Sequence, residues 1–347
     1  MSLQEVITNK TIDKTIITAR LFPGFWDRWI AHGMEKGVAN QFIQEVTNLQ
    51  EWIQFFDKHG SNQFKTAERA KRNDDLKEAK WHFRLSALYF NLSHWIFPTP
   101  SDEKRKWYQK SLNAFSHADE LLVKKPLKEK VMVEEVACHG RIRIPYRSKG
   151  SVIIVNPIDS TKEELFSYEQ HFVDLGFATF TFDGPGQGET FTLNGLRATK
   201  ERWQTFMDKV ITLANKIIPN NKIYLFGTSS GAMWSIKASE HPKVSKAVAV
   251  SPAVSKDIAF PEYFIERSNN LLNETETILP VINPTKLSKP IYLFHGKQDV
   301  MVKDSDIYQL YNSLTNKSKI KQYPNEGHCC NFKLAEIRSI VSEWFKE

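Results

Sequence analysis

Residues 221–231 read NKIYLFGTSSG, a short apolar run that ends in Gly227-Thr228-Ser229-Ser230-Gly231 and leads into the helical pattern AMWSIKASEHP. A serine with glycine two positions away on either side, between a strand and a helix, suits a nucleophile held on a tight turn. The requirement is steric. A strained, crowded backbone tolerates only small neighbours at those two positions. Ser229 is the central residue. Ser230 follows it, and the turn points the Ser230 backbone N–H toward negative charge developing on a carbonyl oxygen. The chemistry implied is attack of a hydroxyl on an electrophilic carbon.

A serine hydroxyl is a weak nucleophile without a base, and the base needs an acid to orient it. Both occur downstream. The run IYLF (291–294) leads into HGKQD, ending at Asp299, and KIKQY (319–323) leads into PNEGH, ending at His328. The order serine, acid, histidine is the one expected after such a turn, with each partner in a loop at a strand's carboxyl end. His295 falls inside a strand-end turn and reads as structural. Glu326 is a rival acid, but it is too close to His328 in sequence to be the first choice. A second oxyanion donor is expected from the loop after SVIIV (151–155), namely Asn156-Pro157-Ile158-Asp159-Ser160. Pro157 has no N–H, so the Ile158 amide is the candidate. The cluster Asp183-Gly184-Pro185-Gly186-Gln187-Gly188 lacks the Lys-Ser/Thr of a phosphate-binding loop and reads as a tight turn near the site.

The elements that would carry these residues fall into two groups. From residue 151 onward, short apolar runs (151–155, 177–182, 223–226, 244–251, 291–294, 319–323) alternate with helical segments, which implies a parallel sheet covered on both faces. Before it, Ile142, Ile144 and Tyr146 alternate with Arg141, Arg143 and Arg147 as in a half-buried strand. The first third is aromatic-rich and helical in period. Its stripes are Phe42, Val46, Leu49, Ile53 and Phe56, then Trp81, Leu85, Leu88, Leu92 and Trp95, then Tyr108, Leu112, Phe115 and Leu122, with Ser101 as an N-cap before the third. We therefore divide the chain into a helical cap, 1–127, and a catalytic domain of α/β class, 128–347.

The 347 residues carry a formal charge of +7, from 47 basic and 40 acidic side chains. The excess is spread along the chain, with no basic stripe interleaved with aromatics, so nucleic acid is not an expected partner. Three cysteines, Cys138, Cys329 and Cys330, make no disulfide framework and suggest a reducing compartment. No Cys/His spacing suits a metal, and no cofactor is expected. With no signal-like N-terminus and no apolar run of spanning length, a cytoplasmic protein without membrane contact is expected.

The motifs STKEE (160–164), FDGPGQGE (182–189), GTSSG (227–231) and GHCCNF (327–332), with WDRWIAHG (26–33) and HFRLSALYFNLSHWIF (82–97), resemble the 2,6-dihydroxypseudooxynicotine hydrolase group of the α/β-hydrolases. Polyketide-shortening hydrolases and FrsA-like esterases stand near that group. The resemblance runs over nearly the whole chain. It implies the α/β-hydrolase fold with a helical lid, often in a homodimer, and hydrolysis at a ketone or acyl carbonyl of a small molecule, including C–C cleavage. Ser229, Asp299 and His328 match the group's triad positions. The group often has Gly-Gly where Asn156-Pro157 stand. It also uses an extra acidic residue in the pocket, for which Asp257 and Glu262 lie in the right region. A general carboxylesterase, thioesterase or peptidase, and a non-catalytic binding protein, are the alternative readings.

Overall fold

A computed structural model describes residues 3–254, 261–273, 277–315 and 317–347. Its centre is an eight-stranded sheet in the order β1-β2-β4-β3-β5-β6-β7-β8. The strands are β1 (Leu127–Val133), β2 (Val136–Arg143), β3 (Ser151–Val155), β4 (Ala178–Phe182), β5 (Ile223–Thr228), β6 (Val244–Val250), β7 (Ile291–Gly296) and β8 (Lys319–Tyr323). β2 pairs antiparallel with β1 and β4, and the remaining pairs are parallel. All six runs expected from the sequence are strands. The β1–β2 hairpin adds an edge, turning at Glu134 and Glu135, both with positive φ.

Strands β3, β4 and β5 are buried at every position, which is why they read as continuous apolar runs rather than alternating ones. Helices Lys200–Ile217 and Ser230–Ala238 pack on one face around Leu225, Trp203 and Trp234. Helices Phe166–Asp174 and Leu334–Lys346 pack on the other, around Phe172, Phe226 and Phe345. The chain reverses its winding at β3: β4 lies on one side and β5 on the other. Open sheets form a crevice at such a switch point, beyond the strands' carboxyl ends.

The helical region precedes the sheet, with long helices Leu49–Arg72, Leu76–Trp95 and Asp102–Glu120. Asn48, Asp75 and Ser101 cap them, each side chain accepting an N–H three residues on. Trp26, Phe42, Trp52, Phe56 and Tyr89 form a separate aromatic core.

Three sequence expectations need correction here. The stripe from Phe42 to Phe56 is split between two helices, because the Asn48 cap starts a new one. Helix Leu76–Trp95 is not simply amphipathic: every residue from Phe83 to Trp95 is buried, since the helix is packed between helices Leu49–Arg72 and Asp102–Glu120, with the segment Lys162–Leu165 also against it. The β2 strand ends at Arg143, before Ile144 and Tyr146, and Arg141 and Arg143 are buried rather than solvated. Arg141 pairs with Asp119 and Glu169, and Arg143 donates to Gln170. Among the described residues, no helix is long and apolar enough to cross a membrane.

Candidate active site

β5 delivers Ser229 to the start of helix Ser230–Ala238 with φ 53° and ψ −120°, a left-handed φ that a side chain adopts only under constraint. The two glycines explain how it is held. A Cβ on Gly227 would lie 2.2 Å from the Gly231 carbonyl oxygen, and one on Gly231 would lie 2.2 Å from the Val155 carbonyl oxygen. Either substitution would push the turn apart.

β7 leads to Asp299 and β8 to His328, which opens a short 3-10 segment. His328 Nε2 lies 2.9 Å from Ser229 Oγ, and His328 Nδ1 lies 2.7 Å from Asp299 Oδ2. The Met301 and Val302 amides donate to Asp299 Oδ1 at 2.8 and 3.1 Å, so both carboxylate oxygens are occupied. Burial alone would lower the His328 pKa. The adjacent Cys329 sulfur and the Asp299 carboxylate outweigh burial and raise it to about 10. Asp299 itself is held below its usual value, since its hydrogen bonds and His328 outweigh the desolvation that would raise it. This arrangement can take a proton from Ser229 and stabilise the resulting imidazolium.

The loop after β3 sits against the helix start. Gln187 donates to the Asn156 and Pro157 carbonyls at 3.0 and 2.6 Å and pins the loop. The Ile158 amide donates to Ser230 Oγ at 3.0 Å. Asp183 is buried in the turn after β4, where it accepts from the Lys162 ammonium at 2.9 Å and from Tyr108 at 3.2 Å. The glycine-rich turn that follows thus serves as framework. His295 bonds Asp304 at 2.7 Å, away from Ser229. Glu326 accepts the Phe332 amide at 3.1 Å rather than touching the His328 ring.

Above Ser229 lies a cavity of about 720 Å³. The helical region supplies Phe25, Arg28, Trp29 and Trp95 to its wall, and helix Glu262–Leu271 supplies Tyr263 and Phe264. Of the two candidates for an extra acid in the pocket, Asp257 lies outside the described residues. Glu262 points away: its side chain is 76% exposed and pairs with Lys14. Among the described residues, Asp27, Asp159 and Glu326 line the cavity, and Asp159 stands one residue past Ile158.

Asp159 belongs to a network that the motifs did not reveal. Arg28 binds Asp159 and Glu164, each at 2.8 Å. Trp95 donates to Asp159 at 3.2 Å, and Asn91 donates to Glu164 at 2.9 Å. Burial would raise the Asp159 pKa, but Arg28 and Arg267 outweigh it and hold the group ionised. Burial dominates at Glu164 and raises it to about 7 despite Arg28. His32, also in the cavity wall, is pushed down to about 3, first by burial and then by Arg28 and Arg338, so it is neutral. The quoted segments WDRWIAHG and STKEE already contained Arg28, His32 and Glu164. What the sequence lacked was any local sign that they meet. Among the described residues, no cluster of three or more His, Cys, Asp or Glu side chains could hold a metal ion.

Comparison with known proteins agrees with this architecture. A family model described as serine aminopeptidase, S33, matches residues 147–281. A 2,6-dihydropseudooxynicotine hydrolase of Paenarthrobacter nicotinovorans is 30% identical over 155 residues, covering 43% of this chain and 41% of its own length. A 20-hydroxy-prefusarin hydrolase of Gibberella moniliformis is 27% identical over 199 residues, covering 53% and 47%. The chain thus spans about half the length of the curated relatives it matches. The crystal structure of the 2,6-dihydroxy-pseudo-oxynicotine hydrolase superimposes with a TM-score of 0.75 at 20% identity, over 92% of this chain and 95% of that one. The superposition takes in the helical region as well as the sheet. The chain is therefore a protein of the α/β-hydrolase fold, with hydrolases among its sequence homologues.

Proposed function

We propose that the protein is a serine hydrolase that cleaves a C–C or ester bond beside a carbonyl in a small aromatic or polyketide-like molecule. The observation that carries the proposal is the chain of contacts from Ser229 through His328 to Asp299, at 2.9 and 2.7 Å, on the floor of an aromatic-walled cavity. The named relatives act on a pseudooxynicotine and a prefusarin derivative, and their likeness supports a carbonyl compound as substrate.

In this mechanism Ser229 Oγ attacks the carbonyl carbon while its proton passes to His328 Nε2. Asp299 holds the imidazolium. The carbonyl electrons move onto oxygen and are stabilised by the amide at the start of helix Ser230–Ala238. On collapse, His328 returns the proton to the leaving group, either an ester oxygen or a carbon made stable by an adjacent carbonyl or electron-rich ring. Water then attacks the acyl-serine, again through His328.

The test offers the purified protein a short aryl ester and an aryl 1,3-diketone, with Ser229→Ala as the blank. Diketone cleavage that disappears in the variant is the expected result. Cleavage of the ester alone would move the reading to a carboxylesterase or thioesterase, which also fits the peptidase-like description of the matching family model. Failure of Ser229 to react with a fluorophosphonate would leave a binding protein on a hydrolase fold.

A further inference from the structure

Ser230 brings a side-chain hydroxyl to the site as well as its backbone amide. The residue is buried and lines the cavity beside Ser229, and its hydroxyl oxygen accepts the Ile158 amide at 3.0 Å. An oxyanion held by that amide would sit at roughly the same distance, about 2.7–3.1 Å. Ser230 Oγ therefore stands where contact between Ile158 and the oxyanion was expected. The surroundings favour this as a fixed arrangement. The loop is pinned by Gln187, and the absence of a Gly231 side chain lets the Val155 carbonyl pack onto the helix start.

A hydroxyl has one proton to donate. Among the described residues, the Ser230 hydroxyl has an incoming bond from Ile158 and no acceptor for its own proton. A buried donor without an acceptor is costly, and Ser230 lines the cavity next to Ser229. Accepting from Ile158 polarises the O–H and makes it a stronger donor. The Ser230 amide, in the first turn of its helix, has no intrahelical acceptor either.

We propose that the Ser230 hydroxyl is the second oxyanion donor, a catalytic residue in its own right, with the Ile158 amide behind it as its polarising partner. One residue then supplies both donors, one from its backbone and one from its side chain. The assignment rests on the serine-nucleophile reading and deepens it. It also accounts for Asn156-Pro157 in place of Gly-Gly: the loop need not bring its own amide to the substrate, only to Ser230.

The experiment follows the phosphonylation of Ser229 by a fluorophosphonate, whose phosphoryl oxygen gains charge as a carbonyl oxygen would. It is run beside turnover of whichever probe substrate the protein cleaves. Ser230→Ala is expected to lower the maximal rate of both on the order of 100-fold, with little change in the half-saturating concentration. A role confined to packing would not produce that split. Ser230→Cys, similar in shape and a poor donor, should show the same loss and serves if the alanine variant does not fold. Rates at or above the wild-type value in either folded variant would overturn the proposal, since the hydroxyl would then merely obstruct the Ile158 amide. Ser229→Ala separates the two claims. Persistent turnover there sinks the nucleophile itself, whereas an inert Ser229→Ala beside a fully active Ser230→Ala sinks only the role of Ser230.

Discussion

The two halves of the cavity are held in different ways. On the sheet side, Ser229, Asp299 and His328 are placed by backbone: each follows a strand end, and the strained turn at Ser229 is fixed by two missing side chains. On the helical side, position is set by buried charge. Arg28 joins the helical region to Asp159 and Glu164, and Tyr108 reaches down from helix Asp102–Glu120 to Asp183, which the sheet side itself ties to Lys162. A site built on strand ends can hold its reacting groups without help from the cover. A cover held by ion pairs depends on its partners being present and correctly charged. Changes on one side should therefore appear mainly in rate, and changes on the other mainly in stability.

The largest expected effect is on rate. Ser229→Ala or His328→Ala should lower turnover on the order of 10⁴–10⁶-fold while leaving the urea midpoint nearly unmoved. A large loss of stability in either would erase the contrast between the halves. Asp299→Asn should follow, on the order of 10⁴-fold, and it carries a pH signature. The base works only as neutral imidazole, and His328 is raised to about 10. In the wild type, kcat/KM should therefore rise from neutral pH into the alkaline range and be lost as pH falls through that value. Removing the carboxylate removes part of what raises the pKa, so the acidic limb should move to lower pH in the asparagine variant. A limb at the same pH in both proteins would remove Asp299 from the explanation.

On the helical side, Arg28→Ala strips the cation from two buried carboxylates and should cost about 3 kcal/mol in urea unfolding. Glu164, already raised to about 7, can relieve part of the penalty by taking a proton, so the loss should shrink as pH falls below neutrality. A pH-independent loss would point to packing instead. The smallest effect should come from Ser101→Ala, which deletes a cap accepting the Lys104 amide at 3.1 Å and should cost about 1 kcal/mol. If its cost rivalled that of Arg28→Ala, local propensity rather than tertiary charge would hold the helical region.

The same contrast governs what could be read from the sequence. The strands, the serine turn and the two later loops carry local signals: a run of apolar residues, glycines at fixed offsets, and chain order. The helices were legible as periodic stripes, but the break at Asn48 and the burial of Phe83 to Trp95 were not. Periodicity records that a residue is buried, not by how many neighbours. The burial of Arg141 and Arg143 was hidden for a related reason. Alternation with apolar residues suggests a solvated face, and only the folded chain brings Asp119 and Glu169 to meet them. Asp159 drew no notice in the sequence because its partner Arg28 lies far away in the chain.

That distance has a bearing on how the molecule is made. Arg28 and Asp159 are 131 residues apart. At a synthesis rate of about 5–20 residues per second, roughly 7–26 s pass between their emergence from the ribosome. The helical region can gather its own aromatic core in that interval, yet Arg28 must wait with its charge hydrated. The nascent segment thus carries a soluble, unfinished face until the loop after β3 arrives. The ion pair that later seats the cover also marks the moment when the two parts of the chain can join.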